Sequence, residues 1–201
     1  MPKQLWKPNT LIAPVPPAMV SCGTLERPNI ITVAWTGIIN SNPPMTYISV
    51  RPERYSHRII SEAGEFVVNL TTRELVRAAD FCGVRSGRDL NKFEALSLTP
   101  FPGSTVSAPL IAESPLSFEC KVTEVKRLGS HDMFLALITG VQVEESLIDK
   151  NGKLRLDRAG LAAFAHGEYF ALGERLGSFG YSVRKKSKPS RKRPPQGAAK
   201  K

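Results

Sequence analysis

The alternation of apolar and polar positions between residues 18 and 50 predicts three short β-strands. Residues 18–25 form the first, and the β-branched run IITVAWTGI at residues 30–38 forms the second. The turn sequence NSNPP at residues 40–44 ends that strand, and residues 45–50 form the third. Because no helix separates the second strand from the third, we expect them to pair in the antiparallel direction.

Helical periodicity first appears after the third strand. Residues 56–63 are predicted to form a helix that ends at Gly64, a residue suited to a left-handed C-cap. Residues 66–70 read as a buried strand. The sequence Thr71–Glu74 is typical of a helix start, and this second helix is predicted to run to about Cys82.

The remainder of the chain is again rich in strand signals. Residues 83–103 are predicted to be a loop, and residues 116–127 and 133–145 to form a long hairpin. Residues 161–181 carry no clear assignment. The few irregular helices exclude a doubly wound sheet, so the sequence predicts a mainly β protein, a β-barrel with peripheral helices. Barrel closure would remove the edges that such long strands otherwise expose.

A run of bases and hydroxyls, RPERYSHR at residues 51–58, stands where the third strand leads into the first helix. The N–H groups at a helix start are unpaired and the helix dipole favours an anion there, so this run is a candidate phosphate site. Trp35 and Tyr47, expected on neighbouring strands, could flank an aromatic ligand. The alternative is a solvated helix N-terminus without a ligand.

The net charge of +10 belongs almost entirely to the end of the chain. Nine of the 28 lysines and arginines lie in residues 184–201, which contain no acidic residue, whereas residues 1–183 carry 19 bases against 18 acids. The sequence predicts one domain over residues 1–183 and a basic disordered tail over residues 184–201. The tail could contact nucleic acid or anionic surfaces or serve as a localisation signal, or have no dedicated partner. The domain shows no module specific for nucleic acid.

Other common chemistries find little support in the sequence. The three cysteines are odd in number and widely spaced, which argues against a disulfide framework or a thiolate metal site, and the three histidines are scattered, so no metal site is predicted. Phosphate-loop, dinucleotide and serine-hydrolase motifs are lacking. With no apolar run long enough to span a bilayer, we expect a soluble cytoplasmic protein without a membrane partner.

Several short motifs, in their order and spacing, resemble the flavin reductase-like, flavoredoxin-type family of FMN-binding split barrels. They extend from about residue 10 to residue 183, and no single one is diagnostic. The matching segments are TVAWTG at 32–37, NPP at 42–44, VRP at 50–52, GEFVVNL at 64–70, DFCGVRSG at 80–87, NKF at 91–93, APLI at 108–111, LSFEC at 116–120 and YFALGE at 169–174.

The resemblance implies a split barrel of antiparallel Greek-key type with a noncovalently bound FMN. Such a cofactor performs hydride and electron transfer while the protein supplies binding and electronic tuning, which suits a chain with few candidate acids and bases. The isoalloxazine edge would meet the backbone of Ala34 and Trp35, next to Thr32 in the same motif. Ser49 and Val50 would hold the ribityl chain.

The resemblance places further residues around the phosphate. Arg51 would bind it from the strand end, with charge from Arg54 and a hydroxyl from Ser56. From the following loop, the residues that would close over the phosphate side are Cys82, Gly83, Ser86 and Lys92. Alternatives remain at this point: Trp35 could be core, Cys82 a small buried thiol and Lys92 a surface base.

His131 is the one candidate catalytic residue. Relatives that reduce flavin with a nicotinamide carry a Gly-Asp-His turn near that site, whereas this chain has Gly129-Ser130-His131-Asp132. The substitution of the middle residue puts the use of NADH or NADPH in question more than FMN binding, and His131 could simply be an exposed turn residue.

The resemblance also implies a homodimer, since split barrels of this kind place the flavin where two barrels meet. The partner subunit would then cover aromatic residues expected to be exposed, such as Phe164, Tyr169 and Phe170. The first functional hypothesis is an NAD(P)H:flavin oxidoreductase that supplies reduced flavin or electrons to a partner such as a redox protein or monooxygenase. The alternatives are a flavoredoxin-like electron carrier with little pyridine-nucleotide activity and a nonredox flavin-binding barrel.

Overall fold

The computed structural model describes residues 1–184, and its centre is a seven-stranded antiparallel sheet. Two two-stranded sheets accompany it. The strands, in chain order, are β1 (Ala18–Gly23), β2 (Pro28–Val33), β3 (Thr36–Ser41), β4 (Pro44–Val50), β5 (Glu65–Asn69), β6 (Pro100–Phe101), β7 (Leu110–Ile111), β8 (Leu116–Arg127), β9 (Asp132–Val143), β10 (Ala162–Ala165) and β11 (Glu168–Ala171).

Short helices surround this sheet. The α-helices are α1 (Tyr55–Ala63), α2 (Val76–Val84) and α3 (Lys92–Ala95). Single 3₁₀ turns occupy Glu145–Leu147, Leu156–Arg158 and Tyr181–Val183. Within residues 1–184, no helix is both long enough and apolar enough to cross a membrane.

The order of the strands shows how the sheet curls into a split barrel. The order is β2-β1-β5-β8-β9-β4-β3, so the two edge strands, β2 and β3, are consecutive in the chain. The two residues between them, Ala34 and Trp35, therefore join the edges of the sheet, and Ser49 N–H donates to the Trp35 carbonyl at 3.0 Å. The predicted class, a mainly β antiparallel split barrel, is confirmed.

The barrel interior is filled by alternate residues of its strands, as the two-residue period of a strand requires. Met19 and Ile30 point the other way, into a second buried cluster formed with α2 and α3, so β1 and β2 are covered on both faces. The interior cluster consists of Ala18, Val20, Cys22, Ile31, Val33, Ile48, Val50, Ile60, Phe66, Val68, Cys120, Phe134 and Ala136. Each large apolar side chain buried there contributes about 1.5–3 kcal/mol.

The predicted single strand at residues 30–38 is wrong, because the structure divides it into β2 and β3. Pairing with β1 ends at Val33, opposite Ala18. Beyond Ala34 and Trp35, the chain pairs with β4 instead, starting at Thr36 opposite Ile48. The expected antiparallel pairing with the third predicted strand is confirmed for β3 and β4, and Trp35 lies in the connection rather than on a strand.

Two other sequence-based assignments need correction. The helix predicted from Thr71 begins only at Val76, because the Thr71 hydroxyl bonds to the Pro17 carbonyl and Thr72 forms a β-bridge with Leu161. The predicted loop at residues 83–103 contains α3, where the Asn91 side chain accepts from Phe93 N–H.

The remaining long elements match expectation. Helix α1 ends at Gly64, which has φ +68° and donates its N–H to Ile60. Strands β8 and β9 form the predicted long hairpin. The unassigned C-terminal region contains the β10–β11 hairpin, and all three cysteines are free and buried. Apart from Arg184, the predicted basic tail lies outside the described residues, so its disorder stays a prediction.

Candidate functional site

A cavity of about 240 Å³ lies at the N-terminus of α1 and is called here the basic pocket. Four cationic side chains line it, with Glu53 as the one acidic lining residue of the cavity. The cations are Arg54, Arg85, Arg88 and Lys92. The remaining lining residues are Ile31, Tyr55, Ser56, Cys82, Gly83, Ser86 and Gly87.

Helix α1 presents an open N-terminus to this pocket. Arg54 is the N-cap residue with extended backbone, and its side chain makes no capping hydrogen bond. No acidic residue lies in the first turn to offset the positive end of the helix dipole. The local backbone and the surrounding side chains thus both favour an anion here.

Lys92 reaches the basic pocket from α3 and is buried, with 3% of its surface exposed. Its Nζ donates to the carbonyls of Ile30 at 2.7 Å and Cys82 at 2.9 Å. Those bonds use two of the three ammonium donors. Burial lowers the pKa of Lys92. Lys92 is therefore not a surface base, and it is held rigidly at the cavity wall.

Ser56 and Cys82 are also buried. The Ser56 hydroxyl accepts from Asn29 Nδ2 at 2.7 Å, which leaves the hydroxyl proton as a donor. Burial raises the pKa of Cys82 to about 11, so its thiol is protonated at neutral pH. A Cβ at Gly87 would lie 1.9 Å from Asn29 Oδ1, so the loop can approach β2 this closely only with glycine.

A second cavity of about 170 Å³ adjoins the first and is called the aromatic pocket. Trp35 and His131 line it, with ring centroids 4.6 Å apart and planes tilted by 40°. Ile31 and Arg54 line both cavities, so the two lie side by side and share part of their walls. The remaining lining residues are Thr32, Val33, Ala34, Ser49, Val50 and Arg51.

Some polar groups of the aromatic pocket already make hydrogen bonds or ion pairs within the protein. Thr32 donates its hydroxyl to the Ala79 carbonyl at 2.5 Å, tying β2 to α2. Arg51 lies 3.7 Å from Glu53 in an exposed ion pair. Burial lowers the pKa of His131, and the positive charge of Arg51 lowers it further. His131 is half-buried against Trp35 rather than an exposed turn residue.

Trp35 and Tyr47 both line a third, more apolar cavity of about 420 Å³. The N-terminal segment lines this cavity through Thr10, Ile12 and Val15. Trp35 retains 41% exposure, so it is not a core residue. The two aromatic side chains named from the sequence thus do share a cavity, although they come from a connection and a strand rather than from paired strands.

The structure gathers the sequence-predicted site residues around these two pockets. The basic pocket receives Arg54, Ser56, Cys82, Gly83, Ser86 and Lys92. The aromatic pocket receives Thr32, Ala34, Trp35, Ser49, Val50, Arg51, Arg54 and His131. Arg51 therefore lies on the aromatic side of the site rather than among the other cations. Their individual roles toward a flavin stay predictions.

Sequence reasoning did not select six lining residues of the basic pocket, namely Ile31, Glu53, Tyr55, Arg85, Gly87 and Arg88. The guanidinium of Arg88 lies 5.9 Å from the centre of the Tyr55 ring, within cation–π range. The signal was present in the RSGR run at residues 85–88, where two bases flank a serine and a glycine. What the sequence did not reveal is that this loop faces the start of α1.

Fold and site together define an antiparallel split barrel with a basic pocket beside an aromatic one. A sequence model of the flavin reductase like domain matches residues 12–172, and the chain belongs to that family. The resemblance inferred from the motifs is confirmed.

Solved structures share the fold over nearly the whole chain. Flavoredoxin of Desulfovibrio vulgaris (Miyazaki F) is 34% identical, with a TM-score of 0.83 over 90% of this chain and 100% of that one. An FMN-binding protein from Thermus thermophilus, solved with bound 1-cyclohex-2-enone, is 25% identical, with a TM-score of 0.74 over 89% and 98%. Nitrilotriacetate monooxygenase component B from Bacillus cereus is 25% identical, with a TM-score of 0.75 over 83% and 88%.

Proposed function

We propose that this protein binds FMN noncovalently, with the phosphate in the basic pocket and the isoalloxazine in the aromatic pocket. The observation that carries this proposal is that the two cavities are adjacent and share Arg54, at a helix N-terminus without a side-chain cap. An FMN molecule has a dianionic head and a flat aromatic body, and the two cavities differ in the same way.

The charges of the basic pocket fit one phosphate group. A phosphate monoester carries about −1.5 to −2 at neutral pH, and four cations face it against the single carboxylate of Glu53. Ser56 and Ser86 add hydroxyl donors, and the first turn of α1 adds backbone N–H groups. The rigidly held Lys92 requires little ordering when a ligand binds.

The aromatic pocket supplies flat contact and backbone polar groups. Trp35 and His131 offer ring faces, while the Ala34–Trp35 connection leaves the regular ladder of the sheet and can direct backbone groups at the ring edge. Bound FMN would supply hydride and electron transfer, and the residues of the chain bind it, orient it and limit the access of water.

The activity we propose first is NAD(P)H:flavin oxidoreductase, with a redox protein or a monooxygenase as the eventual recipient of the electrons. Membership of the flavin reductase like family and the likeness to a monooxygenase component B support it. His131 lies beside the ring pocket, where it could contact a nicotinamide. Its lowered pKa favours a neutral imidazole at neutral pH.

A flavoredoxin-like electron carrier is the second candidate. The 34% identity to a flavoredoxin over the full length of that chain favours it.

Anaerobic mixing of the FMN-loaded protein with NADH and with NADPH separates these candidates. In a reductase, the absorbance of the bound flavin is bleached rapidly after mixing with NADH or NADPH. A carrier is reduced slowly by both nucleotides but promptly by dithionite or reduced ferredoxin. A protein whose bound FMN is reduced by dithionite alone, and by neither the nucleotides nor reduced ferredoxin, would instead be a nonredox flavin-binding barrel.

We also propose that the protein acts as a homodimer. Phe170 and Leu172, at the end of the β10–β11 hairpin, expose 49% and 61% of their surfaces. Phe164 and Tyr169, expected from the sequence to be exposed, are half-buried and pack edge-to-face at 5.2 Å. A second subunit would cover the apolar surface that remains.

A further inference from the structure

A hydrogen-bonded pair, His57 and Asp132, joins the elements that carry the two pockets. His57 lies in the first turn of α1, directly after Ser56 of the basic pocket, and Asp132 opens β9, directly after His131 of the aromatic pocket. His57 Nε2 and Asp132 Oδ2 are 2.9 Å apart. The side chains are 16% and 11% exposed, so water screens the interaction little.

Packing fixes both members of the pair. The His57 ring meets the buried Phe134 edge-to-face, with centroids 5.1 Å apart. Asp132 is held by the ladder, where it lies opposite Val50 on β4 and Arg127 on β8. His57 is the side-chain partner that the structure gives this carboxylate. Its loss would leave a mostly buried charge without that partner, and the ends of α1 and β9 would shift apart.

We infer that His57 and Asp132 are positioning residues that set the distance between the basic and aromatic pockets. Neither side chain lines either cavity, so neither is expected to touch the ligand. A ligand that spans both pockets depends on their spacing, whereas a ligand held in one pocket does not. This inference rests on the proposed function, because FMN is the ligand expected to span them.

A purely structural role makes a different prediction. If the pair only stabilises the fold, its removal lowers the midpoint of thermal unfolding and affects all flavin ligands alike. If it positions the pockets, its removal selectively weakens FMN relative to riboflavin, which lacks the phosphate and occupies the aromatic pocket alone.

The test compares FMN and riboflavin dissociation constants, measured by fluorescence titration, with apoprotein thermal unfolding. His57→Leu is expected to weaken FMN binding about tenfold, which corresponds to the free energy of about one hydrogen bond. Riboflavin binding should weaken less than about twofold. His57→Gln should restore most of the FMN affinity, because the Gln amide N–H can donate to Asp132.

A second variant and a control keep the test decisive if His57→Leu does not fold. Asp132→Asn keeps an acceptor oxygen but loses the charge, so we expect a smaller selective loss of FMN affinity, about threefold. Gln142→Leu is the matched control. It removes a neutral donor that reaches the buried Glu119 at 2.9 Å from the other end of β9. This control should lower thermal stability without changing the ratio of the two affinities.

The outcomes separate the inference from the proposed function. Equal losses for FMN and riboflavin, no loss at all, or no rescue by His57→Gln would overturn the positioning role while leaving FMN binding intact. A wild-type protein that binds no FMN would overturn the proposed function and the inference with it.

Discussion

Arg54 is the cation that both pockets share, and it caps α1 without a hydrogen bond from its side chain. Arg54 is exposed, and a charge-assisted hydrogen bond that a bound phosphate would shelter from water contributes roughly 1.5–3 kcal/mol. Arg54→Ala should therefore weaken FMN binding by about tenfold to a hundredfold, at ~1.4 kcal/mol per decade. Isothermal calorimetry or fluorescence titration measures this loss.

Two comparisons make that measurement specific. Arg54→Ala should weaken riboflavin binding much less than FMN binding, since riboflavin has no phosphate and meets Arg54 only at the wall of the aromatic pocket. Arg77→Ala removes an exposed arginine of α2 that lines neither pocket, and it should leave FMN affinity unchanged. If Arg54→Ala and Arg77→Ala behave alike, the phosphate binds elsewhere.

Arg51 and Ser56, which the family resemblance also places at the phosphate, should contribute less to the affinity for FMN. Arg51 already faces Glu53 in an ion pair, which reduces the favourable charge that it can offer an anion. Ser56 offers a neutral hydroxyl, and Ser56→Ala should cost about 0.5–1.5 kcal/mol of FMN binding. A larger loss from Arg51→Ala than from Arg54→Ala, in the same titration, would place the phosphate on the aromatic side of the site.

His131 allows a prediction about pH. Burial lowers its pKa in the folded state, and Arg51 adds to this, so the unfolded chain binds the proton more readily. The stability contributed by the neutral ring is complete above the unfolded value of about 6.5 and is lost as pH falls through the folded pKa. An NMR titration of the apoprotein should give a midpoint for His131 below that of an ordinary histidine, and Arg51→Ala should raise it. A midpoint that does not move in Arg51→Ala would contradict this electrostatic description.

The loop between α2 and α3 depends on glycine for its approach to β2. Gly87→Ala would place a Cβ 1.9 Å from Asn29 Oδ1, while a Cβ at Gly83 would lie 3.5 Å from Thr32 in ordinary contact. Gly87→Ala should therefore destabilise the protein by about 1–3 kcal/mol, as overpacking does, and should weaken FMN binding. Gly83→Ala is the matched control, and urea unfolding should show it to be near neutral. Equal stability of the two variants would show that the loop tolerates a side chain at residue 87.

The elements that were predicted correctly are those fixed by residues close together in the sequence. The Gly64 helix end and the long hairpin of β8 and β9 follow from turn residues and period-two alternation. The break at Ala34 and Trp35 does not, because the segment stays β-branched and apolar throughout. It arises where the sheet closes and the Trp35 carbonyl finds Ser49 on another strand.

The candidate site divides in the same way. Residues 51–56 are recognisable from the sequence as a basic, hydroxyl-rich helix start. The family resemblance added the site residues Cys82 and Gly83 at the end of α2. Arg85 and Arg88 join the basic pocket only through tertiary packing, which also brings Asn29 of β2 against Ser56. No periodicity in the sequence encodes that distance.

The surface of the whole molecule suggests how it associates. Leu176 and Phe179 of the C-terminal segment are 90% and 104% exposed, alongside Phe170 and Leu172 of the hairpin. We expect sedimentation equilibrium at micromolar concentration, with FMN present, to give twice the 22.1 kDa mass of one chain. Phe170→Asp with Leu172→Asp should shift the equilibrium toward the monomer, because two charges cannot be buried cheaply in an interface. A wild-type monomer under these conditions would contradict the dimer.

Two features of the whole chain stay predictions from sequence. Residues 185–201 hold most of the basic tail and lie outside the described part of the structure. The other feature is a cytoplasmic location, which stays an expectation from the sequence.

The central claim is that one FMN binds noncovalently across the two pockets. Titration of purified apoprotein with FMN, followed by the flavin absorbance bands and by fluorescence, tests it directly. We predict saturation at one FMN per chain, with shifted bands, release of intact FMN on denaturation, and weaker binding of riboflavin. A protein that leaves the FMN spectrum unchanged, or that binds riboflavin as tightly as FMN, would contradict the account.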